Sequence, residues 1–208
     1  MINLPRKRRK DARPAELLSA ALALFVERGY AATRLEDVAA RAGVSKGTLY
    51  LYYSSKAALF QAVIQEGIVP VIAENEEIAA QHEGSSFSLL EKMLANWWNR
   101  IGKTEYAGIP KLVIAEAINF PEIGAFYYEK VIARGRSLIG SALKRGMDSG
   151  EFRSQNIDLT IDILIAPVLM LLIWRFSFSQ FQPQETDAGA YLQQHLEMMQ
   201  RALCTAQV

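Results

Sequence analysis

Two short helical patterns, over residues 35–42 and 46–52, are separated by only Gly43, Val44 and Ser45. That joint constrains the chain more than any other feature. Leu35, Val38 and Ala39 give the first pattern one apolar face, and Leu49 and Tyr53, four apart, give the second one its own. A turn of about three or four residues that contains glycine is the helix-turn-helix arrangement. So short a joint makes the helices cross steeply. The second then stands out as a ridge that fits a groove about 12 Å wide.

The flanks fit the same plan. Pro14 suits the first turn of a helix, and Leu17, Leu18, Ala21, Leu24 and Phe25 follow at helical spacing until Gly29. Thr33 and Glu36 match a capping box ahead of the second helix. Ser45 is placed to cap the third helix and Ser55 the fourth, where Leu59, Phe60 and Val63 face inward. Beyond Gly67 the patterns lengthen: Phe87–Gly102, Ile109–Asn119, Pro121–Met147, Asp158–Phe178 and, after Pro183, Glu185–Ala206. No alternating strand pattern and no repeat stands out. The reading is all-α, in three parts: a basic flexible arm over 1–12, a helix-turn-helix domain over 13–65, and a larger helical bundle over 66–208.

Charge divides along the same line. Residues 1–65 hold 11 Lys+Arg against 5 Asp+Glu, whereas the remainder holds 12 against 17. Only the first segment is therefore suited to meet a polyanion. The single cysteine, Cys204, cannot form an intrachain disulfide, and with His82 and His195 as the only histidines no metal-ligand spacing exists. No cofactor or metal is expected. The basic N-terminal run lacks the apolar segment of a secretory signal, so the expected location is cytoplasmic. Ile163–Trp174 is an unbroken apolar run of 12 residues, shorter than the roughly 20 a membrane span needs, and it is bounded by Asp162 and Arg175 with Pro167 inside. A buried core or dimer-interface helix is the better reading, with no membrane partner.

Residues 29–60, GYAATRLEDVAARAGVSKGTLYLYYSSKAALF, resemble the DNA-binding domain of the TetR family. The likeness is carried by Ala42 through Tyr50 and then by Tyr52, Tyr53, Ser55 and Lys56. Many relatives carry a second Ser or Thr after the one matching Thr33, and here that position is Arg34. The resemblance implies a three-helix DNA-binding head and a helical body for dimerisation and ligand sensing. It implies a homodimer on double-stranded palindromic operator DNA, acting as a repressor and released by a small effector, and the aromatic residues of the body make that effector apolar or aromatic. An activator or dual regulator of the same fold is the alternative. A helical small-molecule-binding protein without operator control is the alternative of another class. Residues 113–131, VIAEAINFPEIGAFYYEKV, resemble the body of some repressors near multidrug-efflux operons.

The residues assigned to DNA are Thr33, Arg34, Ser45, Lys46, Gly47, Thr48, Tyr50, Leu51, Tyr52 and Lys56. Lysine can donate to guanine or phosphate, Thr48 can meet a phosphate or a thymine methyl, and the two phenols suit phosphate oxygens. Gly47 lets the backbone come close. Lys56, in the first turn of the fourth helix, adds its charge to free N–H groups. The plainer readings are packed tyrosines and solvated lysines. Basic Arg6–Lys10 is either a groove-binding arm or a solvated tail. Trp97, Trp98, Phe120, Tyr127, Trp174 and Phe178 are the candidates for lining an apolar ligand cavity, against the plainer reading as core. Gly43-Val44-Ser45-Lys46-Gly47 matches G-x-S-x-G, but that chemistry needs a strand before the serine, and residues 36–42 read as helix; no enzyme is expected. Both Tyr50→Ala and Lys56→Ala are then expected to weaken operator binding while leaving thermal stability nearly unchanged, as gel-shift titration and melting curves would report.

Overall fold

The computed structural model describes residues 6–181, 184 and 186–205. Arm residues 1–5, the side chains of residues 6–13, Arg6–Lys10 among them, and Pro183, Glu185 and Ala206 lie outside them. The head is built from α1 (Arg6–Ala32), α2 (Leu35–Arg41), α3 (Lys46–Tyr52) and α4 (Lys56–Gly67). The body comprises α5 (Val69–Gln81), α6 (Ser86–Trp97), α7 (Ile109–Glu116), α8 (Pro121–Tyr127), α9 (Ala133–Asp148), α10 (Ile157–Ser177) and α11 (Ala188–Leu203). Single π-helical turns extend α6 through Gly102 and join α8 to α9. Among the described residues the one extended pairing is an isolated bridge between Phe152 and Cys204.

Two starting points differ from the sequence reading. The backbone is already helical at Arg6, so Pro14 lies inside α1 rather than at its head. Proline has no N–H to offer residue 10, yet its fixed φ is compatible with continuing the helix there. Thr33 does not form a capping box. Its hydroxyl donates backwards, to the Leu24 carbonyl at 3.1 Å and the Gly29 carbonyl at 2.7 Å, and the N-cap of α2 is Arg34, with no side-chain cap bond. The reason is Gly29. Its φ of 84° breaks α1 and turns a carbonyl toward Thr33, which is buried against it. The caps at Ser45 and Ser55 are present, accepting from the Thr48 and Ala58 amides.

The head core is aromatic at its centre. Phe25, Tyr30 and Phe60 are fully buried and pack pairwise with ring centroids 5.4–5.6 Å apart. Leu17, Val38, Leu49 and Leu59 close around them. Each such side chain contributes about 1.5–3 kcal/mol by leaving water. This core does not stop at the expected boundary of 65/66, which falls within α4. Ile101, Ile109, Leu112, Val113, Ile123 and Tyr127 of the body join the same cluster. Two further clusters fill the body, one around Phe87, Leu143 and Phe152, the other around Trp98, Val168 and Leu172.

Burial, with the Glu122 carboxylate adding to it, pushes the Tyr30 phenol up to about 12. An unfolded tyrosine titrates near about 10. The folded chain thus keeps a proton that the unfolded chain loses, and the stability present below pH 10 is lost as pH climbs towards 12. The urea midpoint should fall over that window and fall less steeply in Tyr30→Phe. Equal slopes in the two proteins would show that Tyr30 does not titrate as its burial requires.

Candidate nucleic-acid interface

α3 has seven residues, of which Leu49 alone is fully buried. Gly43, at φ 67°, makes the turn that a side chain would strain, and its amide bonds to the Ala40 carbonyl at 3.1 Å. Val44 then returns its amide to Ala39 at 2.9 Å. Ser45 caps the new helix through the Thr48 amide at 3.1 Å, and its hydroxyl pairs with the Thr48 hydroxyl at 2.9 Å. With Leu49 pinned in the core and Thr48 half-buried beside it, the other residues of α3 are exposed. Leu51 is 85% exposed, Tyr50 43% and Tyr52 38%. Lys46 lies over the Tyr50 ring at 5.7 Å and forms an ion pair with Glu36 across the turn. Arg34, Ser45, Lys46 and Gly47 are exposed as well. A large apolar side chain as open as Leu51, flanked by two phenols and a lysine, is a contact surface awaiting a partner.

Two assigned residues do different work. Thr33 is buried and both its hydroxyl bonds go to backbone, so it holds the end of α1 rather than facing outward. Lys56 turns inward. Its ammonium donates to the Tyr30 carbonyl at 2.7 Å and the Ala31 carbonyl at 3.0 Å, and sits 4.6 Å from the centroid of the Tyr30 ring. It therefore satisfies carbonyls left free at the end of α1, where a cation is favoured. Desolvation lowers its pKa, and the Glu116 carboxylate works against that. The Ser45 hydroxyl, engaged as a cap, has no strand before it, so the G-x-S-x-G match lacks a nucleophile elbow.

The six aromatic candidates for a cavity do not converge. Phe120 and Tyr127 pack at the seam between head and body, and Phe120 meets Tyr30 edge-on at 4.7 Å. Trp98 is buried in the body, with Trp97 half-buried beside it, ring centroids 6.4 Å apart. Trp174 and Phe178 pack on each other at 5.0 Å on the outer face of α10, both exposed. A groove of about 750 Å³ lies between α1, α4 and residues 104–106, walled by Leu18, Leu22, Tyr53, Glu66 and Tyr106. A second of about 450 Å³ runs between α6 and α11, and Trp98 is the one candidate on its wall. Tyr53 was read from the sequence as a packing residue and Tyr106 carried no mark there; neither pointed to a groove, because a groove wall is made by the packing of distant helices.

Residues 17–63 match the family model described as bacterial regulatory proteins of the tetR family, and residues 88–203 match the C-terminal domain of AefR-like transcriptional repressors. The chain is similar to the HTH-type transcriptional activator FasR of Mycolicibacterium smegmatis, 48% identical over 59 residues that span 28% of this chain and 27% of FasR. It is 29% identical over 159 residues to the HTH-type transcriptional repressor KstR2 of Rhodococcus jostii, 73% of each chain. The fold is similar to that of the transcriptional regulator FadR of Bacillus subtilis in complex with stearoyl-CoA, with a TM-score of 0.71 and 18% identity over 89% of this chain and 96% of that one.

The inward turn of Lys56 changes what its removal does. Lys56→Ala should lower the free energy of unfolding by about 1–2 kcal/mol, less than a fully buried charged hydrogen bond because the ammonium is partly exposed. Tyr50→Ala should stay within about 0.5 kcal/mol of the parent. Urea denaturation separates the two; a Lys56→Ala protein as stable as the parent would return Lys56 to the outer surface.

Proposed function

The chain belongs to the TetR family of bacterial transcriptional regulators, and from that premise we propose that it is a ligand-responsive repressor that binds palindromic operator DNA as a homodimer. The observation that carries the reading is the outward ridge of α3 with Leu49 as its root. Lys46, Gly47, Thr48, Tyr50, Leu51 and Tyr52 face the major groove, while Arg34 and the Ser45 end of the turn lie beside the phosphates. Lys46 exchanges Glu36 for a nucleic-acid acceptor on binding. Exposed ion pairs contribute little, so that exchange costs little. Likeness to AefR-like repressors in the body supports repression, and the likeness to the activator FasR spans only 59 residues, 28% of this chain, too little to set the direction of control. Such a protein works in the cytoplasm, where its DNA is.

The second copy docks on α10. Leu159, Ile163, Met170, Trp174 and Phe178 recur along one side of the helix and are exposed, with Met198 of α11 exposed as well. By length and hydropathy α10, of 21 residues with an 18-residue window of mean hydropathy 2.2, is also able to cross a bilayer. Its polar ends favour the dimer. Asp158 and Asp162 pair with Arg136, and Arg175 donates to the Gly102 carbonyl at 2.8 Å, which ties both ends into the body. The effector is apolar or aromatic. Long-chain acyl-CoA is the first class to test, because the similar FadR structure holds stearoyl-CoA.

Full-length protein should retard duplex DNA from upstream of its own gene in preference to a scrambled duplex. With about four to six phosphate contacts per half, log K against log salt should fall with a slope of about −7 to −11. Tyr50→Ala should lose at least about tenfold in affinity, and stearoyl-CoA but not free CoA should release the complex. In light scattering the parent should weigh twice 23.2 kDa, and Ile163→Glu combined with Trp174→Glu should give monomers. Equal retention of both duplexes, or a monomeric parent, would end this reading.

A further inference from the structure

The link between α1 and α2 is gripped from two sides. Gly29 breaks α1 at φ 84° and ψ 167°, leaving residues 30–34 as the strap on which α2, and behind it α3, is hung. The Ala31 amide donates to the Glu116 carboxylate of α7 at 3.2 Å. The Ala31 carbonyl accepts from Lys56 of α4 at 3.0 Å. The Tyr30–Ala31 peptide, whose carbonyl also accepts from Lys56 at 2.7 Å, thus bridges a carboxylate of the body and an ammonium of the head. Phe120, four residues beyond Glu116, closes the seam against Tyr30 and lies under the same ammonium at 5.8 Å. The other end of α7 is also tied, since Lys111 donates to the Phe176 carbonyl near the end of α10. α7 has eight residues and is about 12 Å long, a rigid rod at that length.

We propose that Glu116 is a positioning residue for the DNA-reading head, and that α7 is the strut that couples the C-terminal end of α10 to the strap before α2. A shift of the α10 end moves Lys111, α7 and Glu116 together, and the Ala31 strap carries it to Arg34 and the α3 ridge. The two ends of the strut are discrete polar contacts to backbone, so the strut reports position rather than merely filling space. The inference rests on the reading of α3 as the DNA surface, and it deepens that reading by naming the path through which the body reaches it.

The test uses full-length protein with Glu116→Ala, Glu116→Gln and Lys111→Met. Amide hydrogen exchange is followed at Ala31 and the flanking strap, beside binding to the upstream duplex. Glu116→Ala should speed exchange at Ala31 and weaken duplex binding, each by about tenfold, the loss expected of one hydrogen bond to a charged group. Glu116→Gln keeps an oxygen that can accept from the Ala31 amide and should recover most of both. Lys111→Met, which removes the bond to the Phe176 carbonyl at the far end of α7, should also speed exchange at Ala31. Unchanged strap exchange in Glu116→Ala, equal loss in the alanine and glutamine proteins, or no response to Lys111→Met would each overturn the proposal. Should the parent fail to bind the duplex, the DNA reading falls alone, because strap exchange still decides on the strut.

Discussion

Leu49 is the one fully buried side chain of α3, and the presentation of the whole ridge depends on it. A helix of seven residues is too short to be stable alone. It exists because the Ser45 hydroxyl accepts the Thr48 amide, Gly43 permits the turn, and Leu49 drops into the core shared with α1 and α2. With its root fixed, the helix has no rotational freedom left. Tyr50, Leu51 and Tyr52 must point out, and their exposure follows from geometry rather than from their own preference for water.

The same economy explains how head and body communicate. A head with a separate core would swing on its linker, and events in the body would reach it weakly. Here Tyr30 is shared: it packs on Phe25 and Phe60 of the head and on Phe120 of the body. Ile101, Ile109 and Ile123 extend that core without a gap. Close-packed interiors transmit displacement instead of absorbing it. A continuous core across the boundary means that any repacking of α7 or α8 alters what supports α2 and α3.

What could be read in the sequence was local. The Gly43-Val44-Ser45 turn, the caps at Ser45 and Ser55, and the apolar spacing of each helix depend on residues within one turn of each other, and all are present. The misread residues depend on distant partners. Thr33 had two choices, an amide ahead or a carbonyl behind, and the break at Gly29 decided for the carbonyl. Lys56 finds its acceptors 25 and 26 residues away, so its position in α4 pointed outward while its side chain goes in. Phe120, Tyr127, Trp174 and Phe178 look alike as aromatics in a body, yet the first two seal a seam and the last two lie on the surface. Glu116 carried no signal at all, since one carboxylate at the end of a helix is common.

The placement of polar contacts across this fold follows one rule, and it bears on why the strap can be both firm and movable. The apolar clusters set which helices touch, but they do not fix sliding along a helix axis, because dispersion contacts are individually weak and interchangeable. Register is set where a side chain reaches backbone. Asn75 donates to the Met93 carbonyl between α5 and α6, Glu151 accepts the Ser86 and Phe87 amides at the start of α6, and His195 meets the Leu164 carbonyl between α11 and α10. Of these locks, the Asn75 and His195 contacts are the more buried, and the Glu116 contact on Ala31 lies at the surface. Water can therefore reach the Glu116 bond and take its place when α7 moves, at the cost of about one hydrogen bond to a charged group. Body register stays fixed while the head register can change, which is the asymmetry a regulated head requires.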